Sequence, residues 1–250
     1  MRSSILSRPR PLVIAHRGNM KACPENTMAS FRRAIEDGCD LIETDVHVTA
    51  DGSVVCIHDP TVDRTTDGTG AVQELALKQI RPLRASGGKP EFASEGIPLL
   101  EELGSILPED VALAVELKSD QFLEAGACSL LLDVLDRTGV RGRTIVLSFK
   151  LRRIRAFRKV AGDIPTGLVT LSRPWPPLEP MLIAPSLPVL LSNPFYVRYA
   201  HNRGQMVCPL DTNPDRRLGR YMRLGCDAVL TNDPASTRTE LERLRRLPRR

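Results

Sequence analysis

The sequence predicts an α/β protein of the (β/α)8 TIM-barrel class, and three observations carry that expectation. Eight short apolar or β-branched runs alternate with helix-patterned segments, near residues 12–16, 41–48, 111–118, 144–149, 166–171, 188–192, 205–210 and 227–231. Stretches such as Val111-Ala112-Leu113-Ala114-Val115 are apolar without alternation, as a parallel strand covered on both faces requires. A length of 250 residues suits such a barrel as a single unit. The expected layout is therefore one domain over residues 1–250, with the barrel over about 11–240, a small insertion over about 60–97 and a basic tail over 241–250.

The elements follow in order. After the run ending at His16, Asn26 or Thr27 can cap a first helix that places Met28, Phe31 and Ile35 on one face and stops at Gly38. The second strand follows at once. Only Ala50-Asp51-Gly52 separates it from Ser53-Val54-Val55-Cys56-Ile57-His58, too few residues for a parallel crossover, so that run is read as an antiparallel return strand outside the eight. From Pro60 to about Ile97 the chain is rich in Thr, Gly and Pro, with a short helical piece near Val72 to Ile80, and is expected to form a lid or substrate wall. A further helix is expected from about Gln121 to Arg137, ending at Gly139. The stretch Arg173-Pro174-Trp175-Pro176-Pro177 reads as another loop, in which Trp175 packs against the protein or against a substrate headgroup. No internal repeat or low-complexity tract interrupts the series.

Composition narrows the function classes. With 42% hydrophobic and 26% charged residues the chain can bury a core, which argues against a disordered or collagenous protein. The formal charge of +5 is concentrated in Arg2, Arg8 and Arg10 and in the stretch Arg243 to Arg250, read as solvated ends, with weak contact to an anionic membrane surface as the alternative. Nucleic-acid binding is not expected, because one Trp, three Tyr and six Phe supply no aromatic-rich basic stripe. The six cysteines show neither a Cys-x-x-Cys pair nor a zinc spacing and read as reduced, buried thiols. Met1 to Pro11 lacks the apolar stretch of a signal peptide, and nowhere do eighteen apolar residues run together. A soluble, cytoplasmic protein is expected.

The chemistry is concentrated at strand ends. Residues two apart on a strand share a face, so Glu43 and Asp45 point together, as do Glu116 and Lys118, towards the barrel interior where active sites are built. Three carboxylates from two strands suit a hard divalent cation, Mg2+ or Ca2+; the alternative is a metal-free ion-pair network of Glu116 with Lys118 or Asp45 with Arg17. His16 and His58, each at a strand end beside these carboxylates, can supply the base and the acid that phosphodiester cleavage needs. His47 shares the face of Glu43 and Asp45 but lies near the hairpin turn, and is placed at the surface or behind the reacting groups. His201, with no acidic cluster nearby in sequence, is expected at the surface. Glu25 belongs to a helix-capping segment and can in addition be a ligand or a partner of Arg17.

An ordered series then becomes recognisable: Ala15-His16-Arg17-Gly18, Pro24-Glu25-Asn26-Thr27, Glu43-Thr44-Asp45-Val46, Asp51-Gly52 with His58-Asp59, Arg64-Thr65-Thr66, Pro98-Leu99-Leu100-Glu101-Glu102, Glu116-Leu117-Lys118, Ser148-Phe149, and Gly225-Cys226-Asp227 through Thr231 and Pro234. From His16 to Pro234 it resembles the glycerophosphodiester phosphodiesterase family. The resemblance implies a (β/α)8 barrel with a segment inserted after His58-Asp59, His16 and His58 as the acid/base pair, and Glu43, Asp45 and Glu116 around one divalent ion, Mg2+ or Ca2+. It places Arg17 and Lys118 on the phosphoryl oxygens and Glu25, Asn26, Asp59, Phe149 and Leu210 in supporting or substrate-contacting positions. The implied reaction cleaves a small-molecule glycerophosphodiester to glycerol 3-phosphate and an alcohol through a cyclic phosphate. A lysophospholipase D-type activity on longer lipids, or a non-catalytic barrel that binds phosphate esters, would use the same scaffold. Two positions depart from the family pattern: Leu210 stands where a Trp is usual on the glycerol side, and Asn232 stands where Asp is usual, a change expected to act on strand-end hydrogen bonds more than on the chemistry.

Overall fold

The computed structural model describes residues 7–246, so Arg2 and the last four residues of the basic tail lie outside the description. Strands β1 (Leu12–His16), β2 (Leu41–Val48), β4 (Ala112–Leu117), β5 (Thr144–Ser148), β6 (Thr166–Thr170), β7 (Leu182–Pro185), β8 (Met206–Val207) and β9 (Ala228–Thr231) pair in parallel in the order β8-β7-β6-β5-β4-β2-β1-β9. The two ends of that order meet: the Asp227 amide donates to Val207 O at 2.8 Å and the Val207 amide to Asp227 Oδ2 at 2.7 Å. This nearly closed barrel of eight parallel strands, with helices between them, is the expected TIM-barrel class. Strand β3 (Val54–Cys56) runs antiparallel to β2 outside the barrel order, as the Asp51-Gly52 turn requires, with Gly52 in the left-handed region at φ 84°.

Alternation along the strands divides the core. Inward-facing Leu12, Ile14, Leu41, Ala112, Ala114, Ile145, Leu147, Val169 and Leu182 fill the barrel interior, while outward-facing Ile42, Val46, Leu113, Val115 and Val146 meet the surrounding helices. Gly167 on β6 lets two leucines fill the interior, since a Cβ there would come within 2.5 Å of Leu147 Cδ2. Each fully buried aliphatic side chain contributes roughly 1.5–3 kcal/mol. Above the apolar layers the same inward columns turn polar, at His16 on β1, Glu43 and Asp45 on β2 and Glu116 on β4.

Helix α1 (Met28–Glu36) starts on a Thr27–Ser30 capping box, buries Phe31 and Ala34, and is followed by Gly38 at φ 75°. The segment after β3 holds a 3-10 turn (Val72–Glu74) and α2 (Leu77–Ile80), and a small apolar cluster of Val55, Ile57, Val62, Val72, Ile80 and Ile97 pins it against the return strand. Next come α3 (Leu100–Ile106), α4 (Ala125–Arg137) and α5 (Leu151–Val160). The helix expected from Gln121 is split: residues Asp120–Leu123 form a 3-10 turn before α4 begins. All six cysteines are buried and unpaired.

One expected strand is a helix. Residues 188–192 belong to α6 (Leu187–Ser192), and the strand is the preceding Leu182–Pro185. An apolar run such as Pro188-Val189-Leu190-Leu191 cannot be told from a strand by periodicity, but Pro188 in the first helical turn after Ser186 suits a helix start. No helix lies between β6 and β7. Residues 171–181 take its place, and Trp175 stacks edge-on against Tyr199 of α7 (Tyr196–His201) with ring centroids 4.9 Å apart, which is the self-packing alternative. The chain then passes through α8 (Leu218–Leu224) to α9 (Pro234–Arg245). The tail expected from residue 241 is helical as far as Arg245, because Leu241 is fully buried beneath it. No helix among the described residues is long and apolar enough to cross a membrane.

Arg8 and Arg10 are not free charges. Arg8 and Arg238 donate to the buried Asp40 carboxylate at 2.8 and 2.9 Å, and the Val13 amide donates to it at 2.8 Å. Asp227, also buried, pairs with Arg10 and with His201 Nε2 at 2.9 Å. His201 therefore has an acidic partner after all, brought to it by the tertiary fold from 26 residues away. Both carboxylates stand just before a barrel strand and tie its N-terminal end to neighbouring segments. Replacing Asp227 by Ala leaves the buried Val207 amide, the Arg10 guanidinium and the His201 imidazole without their acceptor, and should cost about 2 kcal/mol or more in urea denaturation. A loss below about 1 kcal/mol would show that closure does not depend on this carboxylate.

Candidate active site

The site is assembled where β1, β2 and β4 end. Parallel registers place His16 beside Glu43 and Asp45 beside Glu116, so inward-facing positions on adjacent strands become neighbours. One oxygen from each of Glu43, Asp45 and Glu116 can be chosen so that all three lie within 4.8 Å of one another, and all three side chains are buried. Lys118 Nζ lies 3.0 Å from Glu116 Oε1 and 3.2 Å from Asp45 Oδ1, while Arg17 Nε lies 3.0 Å from Asp45 Oδ2. Both ion pairs considered as the metal-free alternative are thus present, around the cluster.

The electrostatics are unbalanced in a particular way. Burial, then the charges of Asp45 and Glu116, push the Glu43 carboxyl well above its usual range. Burial also raises Glu116, against the opposing pull of Lys118. For Asp45, burial is outweighed by Lys118, Arg17 and an amide hydrogen bond, and its carboxyl stays below the usual value. That hydrogen bond comes from Asn26 Nδ2 at 3.0 Å, and Thr44 Oγ1 donates to Asn26 Oδ1 at 2.8 Å to hold the amide in place. Asp45 Oδ1 and Arg17 Nε are nevertheless buried without an aligned hydrogen bond, although each is close to an opposite charge. Three crowded carboxylates, one with an unsatisfied oxygen, fit a hard cation that takes oxygen ligands.

A strained turn after β1 carries Arg17. Arg17 and Asn26 both sit in the left-handed region, at φ 53° and 52°, and Gly18 follows at φ 81°. The turn directs the Arg17 amide to Glu43 Oε2 at 3.0 Å, and its carbonyl accepts from Asn26 N at 3.1 Å and Ser30 Oγ at 2.9 Å. Gly18 is required for close approach as well as for its backbone angle, since a Cβ there would lie 2.6 Å from the Ser30 backbone.

The two histidines face the pocket with different partners. His16 Nδ1 is 2.8 Å from Asn232 Oδ1, and burial together with the Arg17 charge lowers its pKa to about 4. The Asn232 position therefore acts on the His16 ring itself, beyond the strand-end role expected of it. His58 Nδ1 is 2.6 Å from Asp59 Oδ1. His47 is buried, with Nε2 3.2 Å from the His58 carbonyl, so it lies behind His58 and away from the surface.

Arg64, quoted above within a motif but given no role, links the outer residues. Its Nε donates to Asp59 Oδ2 at 2.5 Å, and its two terminal nitrogens donate to Glu25 at 2.7 and 3.0 Å. Glu25 also accepts from Arg17 Nη1 at 2.9 Å, and Arg64 and Arg17 outweigh burial to keep it below the usual carboxylate range. A continuous chain of charge therefore runs from Asp59 through Arg64 and Glu25 to Arg17. The signal for Arg64 was its place six residues after His58, on a loop whose path back over the mouth is not legible from local pattern.

His16, Arg17, Glu43, His58, Glu116 and Lys118 line one pocket together with Phe149, Leu210 and barrel-interior residues. Phe149 is 42% exposed at its edge, with Lys118 Nζ 5.6 Å from the ring centroid. Residues 16–236 match the model of the glycerophosphoryl diester phosphodiesterase family. The chain belongs to that family. It is an enzyme, a phosphoric diester hydrolase. A glycerophosphodiester phosphodiesterase of Caldanaerobacter subterraneus subsp. tengcongensis is 35% identical over 236 residues, which cover 90% of this chain and 95% of the relative. The structure of an Oleispira antarctica phosphodiesterase in complex with the product sn-glycerol-3-phosphate matches with a TM-score of 0.81 and 25% identity, covering 93% of this chain and 97% of that one. For a glycerophosphodiester phosphodiesterase from Agrobacterium tumefaciens the TM-score is 0.76 at 23% identity, over 90% and 98% of the two chains, a likeness of fold.

Replacing Gly18 by Ala should destabilise the protein by about 2 kcal/mol or more, from the left-handed backbone and the contact with Ser30. Urea denaturation measures it, and a neutral result would mean the turn can relax.

Proposed function

We propose that this enzyme hydrolyses glycerophosphodiesters to glycerol 3-phosphate and an alcohol, with His16 and His58 as proton-transfer groups and Glu43, Asp45 and Glu116 holding one divalent cation. The observation that carries the proposal is the convergence of both imidazoles and the carboxylate cluster on one pocket. Family membership and the product-bound Oleispira antarctica relative support the substrate class. All-oxygen donors favour Mg2+ or Ca2+. Such an ion, when bound, supplies positive charge that polarises the phosphate and lowers the pKa of an adjacent hydroxyl.

The protein's own groups divide the remaining work. With Asn232 Oδ1 accepting from Nδ1–H, the His16 ring is held as the neutral tautomer with Nε2 free, suited to take the proton of the glycerol 2-hydroxyl. His58, with the Asp59 carboxylate at its Nδ1, is suited to give a proton to the departing alcohol. Attack of the 2-hydroxyl oxygen on phosphorus gives a cyclic phosphate, which water then opens. Arg17 and Lys118 stand beside the cluster, positioned to compensate charge developing on the phosphoryl oxygens.

Replacing His16 or His58 by Ala should lower kcat on glycerophosphocholine by roughly 10²- to 10⁴-fold, read as choline release. Full activity in either variant would remove that histidine from the chemistry. Chelator treatment should abolish the activity and added Mg2+ or Ca2+ restore it; chelator-resistant turnover would leave the carboxylates as a purely structural network. Replacing Asn232 by Asp puts a carboxylate beside His16 Nδ1 and should raise the pKa of the ring. A base is active when deprotonated, so the acid limb of the kcat/KM profile should move to higher pH; movement of the alkaline limb would reverse the assignment of base and acid.

A further inference from the structure

The two histidines are anchored by different means. His16 is the last residue of β1 and pairs in register with Glu43 of β2, so the barrel itself fixes its backbone. His58 lies two residues beyond β3, whose ladder with β2 ends at Cys56, and it follows the Ile57 amide, which donates to Asp45 O at 3.0 Å. Its side chain is 31% exposed, so packing encloses the ring only in part. Side chains hold it instead, with His47 at its carbonyl and Asp59 at its Nδ1.

Asp59 can orient the ring only if its own carboxylate is held. Arg64 holds it with a fork: Nε donates to Asp59 Oδ2 at 2.5 Å and Nη2 to Oδ1 at 3.2 Å, the same oxygen that faces His58 Nδ1 at 2.6 Å. Two contacts fix the plane of the carboxylate, which a point charge such as Lys does not do. The guanidinium is fixed in turn from its far side, where Nη1 and Nη2 donate to Glu25 Oε2 and Oε1 at 3.0 and 2.7 Å. Hydrogen bonding by Arg64 is also the largest influence holding the Asp59 carboxyl below its usual range. An ionised carboxylate can only accept, so the proton on Nδ1 points to Asp59 and Nε2 is left for the reaction. The loop presents Arg64 already folded: Val62 is fully buried with its amide on Gly70 O at 3.0 Å, and Thr61 pairs with Ala71 across the loop.

We propose that Arg64 is a positioning residue for protonation of the leaving group: by fixing Asp59 it holds the His58 ring with Nδ1–H on the carboxylate and Nε2 turned to the departing oxygen. The proposal rests on the reading of His58 as proton donor given above. In that step the bond from phosphorus to the headgroup oxygen breaks, and the oxygen keeps the electron pair. It takes the Nε2 proton, and His58 is left neutral with its Nδ1–H still on Asp59.

The test compares choline release from glycerophosphocholine with 4-nitrophenol release from the 4-nitrophenyl ester of glycerol 3-phosphate, using the metal-replete full chain. The choline oxygen leaves as a strongly basic alkoxide unless it is protonated, whereas 4-nitrophenolate is stable as an anion and needs no donor. Arg64→Ala should lower kcat on glycerophosphocholine by roughly 10- to 100-fold and leave kcat on the nitrophenyl ester within about threefold of the unsubstituted enzyme. Arg64→Lys keeps the charge, loses the fork and should behave as Arg64→Ala does. The Arg64 side chain is 48% exposed, so neither change should disturb the fold, which circular dichroism checks. A disturbance passed through Glu25 to Arg17, or a general loosening of the loop, slows both substrates alike; equal losses on the two, or full choline release by Arg64→Ala, would overturn the proposal. In a His58→Ala background, Arg64→Ala should cause no further loss of choline release, and an undiminished second loss would also overturn it. His58→Ala slowing both substrates equally would instead overturn the donor reading on which the proposal rests.

Discussion

Three carboxylates share one buried corner of the barrel, and most of the local architecture is a response to their repulsion. Like charges at this spacing in a low dielectric cannot all ionise without compensation. The protein brings two cations, Arg17 and Lys118, to within about 3 Å of the cluster and still leaves Asp45 Oδ1 without an aligned hydrogen bond. A fully satisfied ion-pair network would have no such orphan. What remains is an arrangement in which added positive charge is stabilising, a cluster that could hold a cation.

Compensation extends outwards in layers. Asn26 bridges Asp45 to Thr44, and its left-handed backbone places the amide at the carboxylate. Arg64 joins Glu25 to Asp59, coupling the partner of Arg17 to the partner of His58. The loop following β3 thus ties together the surroundings of Arg17 and His58. Strain at Arg17 is tolerated because Gly18, Asn26 and Ser30 over-determine the turn.

The opposite end of the barrel shows what the same chemistry does when it is fully paired. Asp40 and Asp227 are as buried as Asp45, yet each collects a backbone amide and two side chains, Arg8 and Arg238 at Asp40 and Arg10 and His201 at Asp227. Those carboxylates stabilise closure and have no spare capacity. Contrast between the two ends separates structural from reactive charge more clearly than burial does, and it accounts for Arg8 and Arg10, whose charge looks free only in the linear sequence.

Much of this was legible from pattern. Period-two alternation put Glu43 with Asp45 and Glu116 with Lys118 on inward faces, the Asp51-Gly52 turn specified the return strand, and apolar runs located seven of the eight barrel strands. The eighth was displaced because Leu187 to Leu191 is apolar in a way that suits either a strand or a helix, and the proline settles the choice only once the neighbouring strand is known. Partnerships across the barrel were not legible: His16 with Asn232, His201 with Asp227, and Arg64 with Glu25 depend on which strand ends are adjacent and on how a loop returns. The sequence by itself determined which groups line each strand, because side-chain direction follows from local backbone periodicity. Only the tertiary structure decided which charges neutralise one another and which stay unsatisfied, because Coulomb energies depend on distances of a few ångströms between residues as much as 217 positions apart.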